Sequence, residues 1–354
     1  MIRGLHRGLL LQLILPALTL LPAALLHAQQ DALGQARSLA ASGHLQEANE
    51  LLADATQRKP QDATLWQELG EIQVSQHLYD DAMKSFGTAL GLQPDSGLAQ
   101  SGEVKAAIAD ALQDRNAGNQ DGALSCLLRA SKLVPDSVEL LTDFGIQADG
   151  MDLYKDADVA LNRAHELAPG DARTLYALAR VELDEQKMPE AEAHLRAYLR
   201  LKPDDATAHY GLGHLLHMMA EDDEAAQELE RSIALRPQQT ESYYELGEIA
   251  LDQGRDEQAK KQFEIVLKAD PNHGGALTGM GIIAYKIKDY VQADAYLSKA
   301  VLYAPDYAEA HRFYAMTLAQ LGRQQQSERE IAVAQKLTDE QNRLRHGYEL
   351  EHTP

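Results

Sequence analysis

The chain has 354 residues, of which 45% are hydrophobic, 25% charged and only 5% aromatic, a balance that excludes disordered and fibrous proteins. Acidic residues number 54 and basic residues 33, for a formal net charge of -21. Such a chain repels nucleic-acid phosphates and anionic membrane surfaces, and its charge serves either to keep it soluble or to attract a basic partner.

The amino terminus opens with Arg3, His6 and Arg7, and an apolar run from Leu9 to Leu26 follows, interrupted by Gln12 and Thr19 and containing Pro16 and Pro22. Polar composition returns at Gln29. A positive start, an apolar core and Ala28 at its edge read as an export signal over residues 1–28, either cleaved or kept as a membrane anchor. Leu26 stands where a cleavage site prefers a small residue. The expectation is an exported chain, periplasmic or cell-envelope associated, that touches a membrane only through residues 1–28 if they are retained. Cys126 is the single cysteine, so no intrachain disulfide can form. Beside Leu127 and Leu128 it reads as an unreactive, semi-buried residue.

From residue 29 onward the chain is periodic. Pro135, Pro169, Pro203, Pro237, Pro271 and Pro305 recur every 34 residues. Between them one frame returns, shown by Tyr243, Leu246, Gly247, Gly254, Ala259, Phe263 and Pro271 in segment 240–273. Leu246, Gly247 and Ala250 form one stripe of a first helix, and Ala259, Phe263 and Val266 a stripe of a second, with Gly254 at the turn. Small residues at Gly213, Gly247 and Gly281, and at Ala225, Ala259 and Ala293, let two helix backbones approach closely. Each unit is thus an antiparallel helix pair that cannot bury its apolar face alone, and the pairs stack.

In chain order, residues 29–96 hold two units. The first is weak, as a terminal repeat is expected to be, and the second is clear, with Trp66, Leu69, Gly70, Tyr79, Ala82, Phe86, Ala89 and Pro94. Residues 97–137 form an irregular third unit, because Pro94 to Pro135 spans 41 residues, seven more than one period. The surplus falls near 110–122, where polar and turn-forming residues predict a surface loop, or a loop that reaches over a groove. Units four to nine occupy 138–341 and start at Val138, Ala172, Ala206, Thr240, Gly274 and Ala308. The last is degenerate, with Ser327 in place of the small alanine. From Thr338 the sequence is polar, and it predicts a short capping helix that frays into the tail 342–354.

This frame resembles the tetratricopeptide repeat family, whose signature places an aromatic, Leu-Gly, Ala, Phe, Ala and Pro at these offsets. The resemblance covers nearly the whole chain after residue 29, about nine units. It implies an all-α, right-handed superhelical solenoid of antiparallel helix pairs that holds a protein or peptide in its inner curve, with no shared catalytic chemistry.

In the family's frame the inner wall is lined by positions 2, 5, 9, 12 and 13 of each first helix. Position 5 gives Tyr176, Tyr210 and Tyr244 in the central units, flanked by Thr142, Thr278 and Arg312. Position 9 adds Arg180, His214 and Glu248, and position 12 adds Leu183, His217, Leu251 and Tyr285. Three tyrosines at one-unit spacing offer rigid faces with hydroxyls to orient a peptide, and the same residues could equally be packing against the next unit. The clamp of Lys, Asn and Arg that some family members use for chaperone tails has no counterpart at these positions.

His214 and His217 share a helix face, with Glu248 as a third candidate, yet no strict metal-ligand motif accompanies them. No phosphate loop, nucleophile elbow or His-Glu-x-x-His motif appears, so neither enzyme activity nor a cofactor is expected. The reading is a non-enzymatic exported interaction scaffold. A structural subunit of an envelope export or assembly complex and a glycan-binding solenoid are the alternatives.

Overall fold

The computed structural model describes residues 32–352, with side chains through Arg343. The proposed signal or anchor at 1–28 lies outside the described residues. Every regular element among them is helical, and no helix there is long and apolar enough to cross a membrane. The chain divides into two compact halves, up to Pro169 and from Gly170.

The first half holds α1 (32–41), α2 (Leu45–Arg58), α3 (Ala63–Ser75), α4 (Tyr79–Leu92), α5 (Gly97–Asn116), α6 (Gln120–Leu133), α7 (Val138–Asp149) and α8 (Tyr154–Leu167). The second holds α9 (Ala172–Asp184), α10 (Met188–Leu201), α11 (Ala206–Met218), α12 (Asp222–Leu235), α13 (Thr240–Asp252), α14 (Asp256–Ala269), α15 (Gly274–Lys286), α16 (Tyr290–Tyr303), α17 (Ala308–Gln320) and α18 (Gln324–His352). Odd-numbered helices are the first of each pair, even-numbered the second.

Local chemistry sets these boundaries. Polar residues just after the unit prolines cap the first helices. Asp62, Ser96, Ser137, Asp171 and Asp205 each accept a hydrogen bond from a backbone N–H of the opening turn. Between the two helices of each pair the chain passes through the left-handed region. Glycine takes that conformation at Gly43, Gly118, Gly254 and Gly322, whereas His77, Asp152, Gln186, Ala220 and Lys288 adopt it with a side chain in place.

Within each half the core consists of clusters that join the second helix of one unit to the first helix of the next. Phe86 of α4 is fully buried between Gly70 of α3 and Gly102 of α5. Phe263 of α14 repeats the arrangement between Gly247 of α13 and Gly279 of α15. Cys126 is buried, more deeply than the semi-buried place expected of it, with its thiol directed at the Ala123 carbonyl 3.2 Å away.

Two sequence expectations are corrected. The surplus of unit three is not a loop near 110–122. It lengthens α5 to 20 residues where α3 has 13, and Gly118 and Asn119 make an ordinary turn into α6. Ala106, Ala107 and Ala111 are fully buried along the added length, and this apolar face keeps the segment helical. Nor does the polar stretch from Thr338 form a separate capping helix. It continues α18, which runs 29 residues without a break.

Candidate functional site

The tyrosine strip lies entirely in the second half, on its first helices. Tyr176, Tyr210 and Tyr244 are each half-buried, and each has part of its ring packed. Tyr176 rests against Tyr198 of α10 with ring centres 5.0 Å apart, and Tyr210 stacks on His214 one turn along α11. Tyr244 packs on Phe263 and on His273, at 6.2 and 4.9 Å. Burial is the first cause raising all three phenols above the ordinary tyrosine range. These residues therefore pack and, with the remaining part of each ring, present surface.

The flanking residues divide. Arg180 is exposed, and Leu183 is half-buried against the cluster of α10 and α11. Tyr285 is half-buried, with Phe313 edge-on at 6.1 Å and Tyr290 at 5.5 Å. Leu251 departs from its expected place on the strip. It is 8% exposed and belongs to the core with Ala259 and Phe263, because its side chain falls on the packing stripe of α13.

The two histidines do not share a ligand set with Glu248. His214 Nδ1 pairs with Glu245 Oε1 at 3.0 Å, joining α11 to α13. His217 Nδ1 pairs with Asp222 Oδ1 at 2.9 Å, which ties α11 to the start of α12. Among the described residues no group of three or more metal-binding side chains comes together. His209 sits on the packing side, between Glu228 at 2.6 Å and the Pro203 carbonyl at 3.0 Å.

Glu248 belongs to a different assembly. Tyr244 reaches over the start of α15, where Gly275 leaves the space; a Cβ there would stand 2.6 Å from the Tyr244 hydroxyl. From that position the hydroxyl interacts with Glu248 one turn along its own helix and with Tyr307 at the start of α17. Tyr307 in turn donates to Glu309 Oε2 at 3.0 Å. Burial, reinforced by the carboxylates of Glu309 and Asp252, pushes Glu248 up to about 8. Tyr307 is raised by burial first and then by Glu248 and Glu309. After burial, the charges acting most strongly on Glu248 are negative, while Glu309 itself is paired with Arg312 at 2.8 Å.

Tyr307, Glu309 and Glu245 were outside the strip read from sequence. Tyr307 precedes its helix and lies two units beyond Tyr244, so a frame of first-helix positions passes over it. The signal was the pair Gly274-Gly275 at the start of a helix, a composition that opens room for a neighbouring side chain.

Tetratricopeptide repeat models match residues 39–110, 154–206, 176–240 and 223–280, together more than half of the chain. The chain belongs to the tetratricopeptide repeat family. Among solved structures, Pseudomonas aeruginosa pilF is 19% identical and superposes with a TM-score of 0.54, covering 61% of this chain and 99% of that one. MamA is 26% identical at a TM-score of 0.43, over 45% of this chain and 92% of its own. YrrB, described as a tetratricopeptide repeat protein with an unusual peptide-binding site, is 22% identical at 0.45, over 52% and 95%. The likeness to pilF speaks for the tetratricopeptide repeat fold alone. No curated protein matches the chain.

Proposed function

We propose that this tetratricopeptide repeat protein is a non-enzymatic, exported interaction scaffold that holds an extended protein or peptide segment along the first helices of its second half. The segment carries a lysine or arginine that enters the site formed by Tyr244, Glu248, Tyr307 and Glu309. The carrying observation is the electrostatics of Glu248: a largely buried carboxyl crowded by Glu309 and Asp252 gains most from an incoming cation. Tyr176 and Tyr210 supply amphipathic ring surface further along, and the net charge of -21 draws a basic segment in from solution. Export to the cell envelope rests on the composition of residues 1–28.

A displayed random-peptide library selected on the chain tests this reading. Enriched sequences should contain a lysine or arginine, and they should lose binding to Glu248→Gln and to Tyr210→Ala once circular dichroism has shown both variants to be as helical as the wild type. Enrichment of peptides without basic residues, or equal binding to all three proteins, would overturn it.

A further inference from the structure

The second helices of the second half carry one apolar residue at equivalent positions, and its exposure changes abruptly at the last unit. Leu195 is 2% exposed, and Leu229, Phe263 and Leu297 are 0% exposed, but Ile331 of α18 is 55% exposed. One turn on, Val266 and Ala300 are fully buried, whereas Ala334 is only half-buried.

In the inner units the covering comes from the first helix of the following unit. Ala208, Leu212 and Leu215 of α11 pack with Leu195 and Leu199 of α10. Ala276, Met280 and Ile283 of α15 pack with Phe263 and Val266 of α14. Ala310 of α17 packs with Ala300 of α16, and Phe313 packs against Leu297. Even the polar version obeys the rule, since Ser242 of α13 donates to Ser232 of α12 at 2.9 Å. Among the described residues nothing takes this place after α18, which continues to His352 where α12, α14 and α16 each end after 14 residues. A cavity of about 480 Å³ remains between α17 and α18, lined by Arg312, Ile331, Ala334 and Thr338 among others, and bordered by Tyr307 and Glu309 of the candidate site.

We infer that this cavity is the seat for one amphipathic helix from another polypeptide, which adds to the stack as a tenth first helix. The repeated interface defines what fits. The seated helices carry a small residue (Ala208, Ser242, Ala276, Ala310), a larger one four positions on (Leu212, Leu246, Met280, Tyr314) and a third three beyond that (Leu215, Ile249, Ile283, Thr317). The first three of these helices have an aliphatic side chain at both later positions, and the partner helix has the same pattern, small-x-x-x-apolar-x-x-apolar. The chain's own first helix fails this requirement. At the corresponding positions α1 has Gln35 and Ser38, both exposed, so a second copy joined head to tail would bring a polar face to an apolar seat.

Isolated helices of this length are marginal in water, so the probe is a side-chain-stapled peptide of sequence Thr240–Asp252, labelled with a fluorophore and titrated with the full chain. Saturable binding at one site is expected. A peptide with Leu246→Glu and Ile249→Glu should not bind, and Ile331→Arg and Ala334→Arg in the full chain should each weaken binding by about tenfold or more. Both substitutions fall on an open surface, and unchanged helicity confirms that each variant is folded. Absence of saturable binding, or binding that both variants leave intact, would overturn the inference. So would a wild-type dimer that Ile331→Arg dissociates, because a second copy would then cover the seat.

Discussion

Gly279 of α15 faces the ring of Phe263 so closely that a Cβ at the glycine would lie 2.3 Å from the ring. On its other side the same ring meets Gly247, where a Cβ would lie 2.5 Å away. One aromatic side chain therefore fills the space between two successive first helices, and glycine on both sides is what admits it. Gly279→Ala should force the ring or the helix to move and destabilise the second half by about 1–3 kcal/mol, read as a lower urea midpoint. Gly211→Ala occupies the equivalent position in α11 with nothing within 4 Å, and should be close to neutral.

Ala220 turns the chain between α11 and α12 with φ at 61°, a conformation its side chain disfavours. Gly254 and Gly322 make the same turn without that penalty. Ala220→Gly is expected to stabilise the protein by up to about 1 kcal/mol despite the greater freedom of its unfolded chain, and thermal melting checks it.

Glu103 of α5 occupies the position that carries Leu69, Leu178, Leu212 and Leu246 in other units. It is 0% exposed, neither carboxyl oxygen has a hydrogen-bond partner, and burial pushes it up to about 7 against the opposing pull of Arg129. Its folded pKa is raised, so the protonated acid is the form the fold favours. Its contribution is intact below the unfolded value near 4.5 and is lost as pH rises from there through about 7. Glu103→Leu should therefore stabilise the first half by about 1–3 kcal/mol at pH 8 and by less at pH 5, measured by urea unfolding at both values.

The Cys126 thiol is pushed up to about 12, chiefly by burial and then by Asp110 and Asp114. Ellman's reagent at pH 8 should leave it unmodified in the folded chain and react with one thiol per chain in urea. Rapid reaction without denaturant would contradict the packing of α5 against α6.

The periodic frame was legible because each unit repeats small residues where helices touch and a proline where they end. The first helices of the second half begin at Ala172, Ala206, Thr240, Gly274 and Ala308, the starts that the frame implies. The surplus in unit three was not legible. Asp114, Asn116 and Gly118 look like loop chemistry, and only the buried alanines of α5 show that helix packing wins there. Half of the candidate site escaped for a different reason. Tyr244, Glu248 and Tyr307 meet through the gap that Gly275 leaves, a relation between units that no spacing within one unit encodes. Leu251 shows the converse, since position 12 faces the core in α13 although the frame assigns it to the groove.

The central claim is that a basic side chain enters beside Glu248. In the free protein that carboxyl is held up to about 8 and is mostly protonated at pH 7. An arriving ammonium or guanidinium group favours the carboxylate, so binding expels a proton, and affinity should rise with pH until it levels off above about 8. Calorimetric titration of a selected lysine peptide at pH 7, in two buffers of different ionisation enthalpy, measures that proton directly. The account predicts release of a substantial fraction of one proton per peptide, abolished in Glu248→Gln. Binding with no proton release, or the same release from Glu248→Gln, would contradict it.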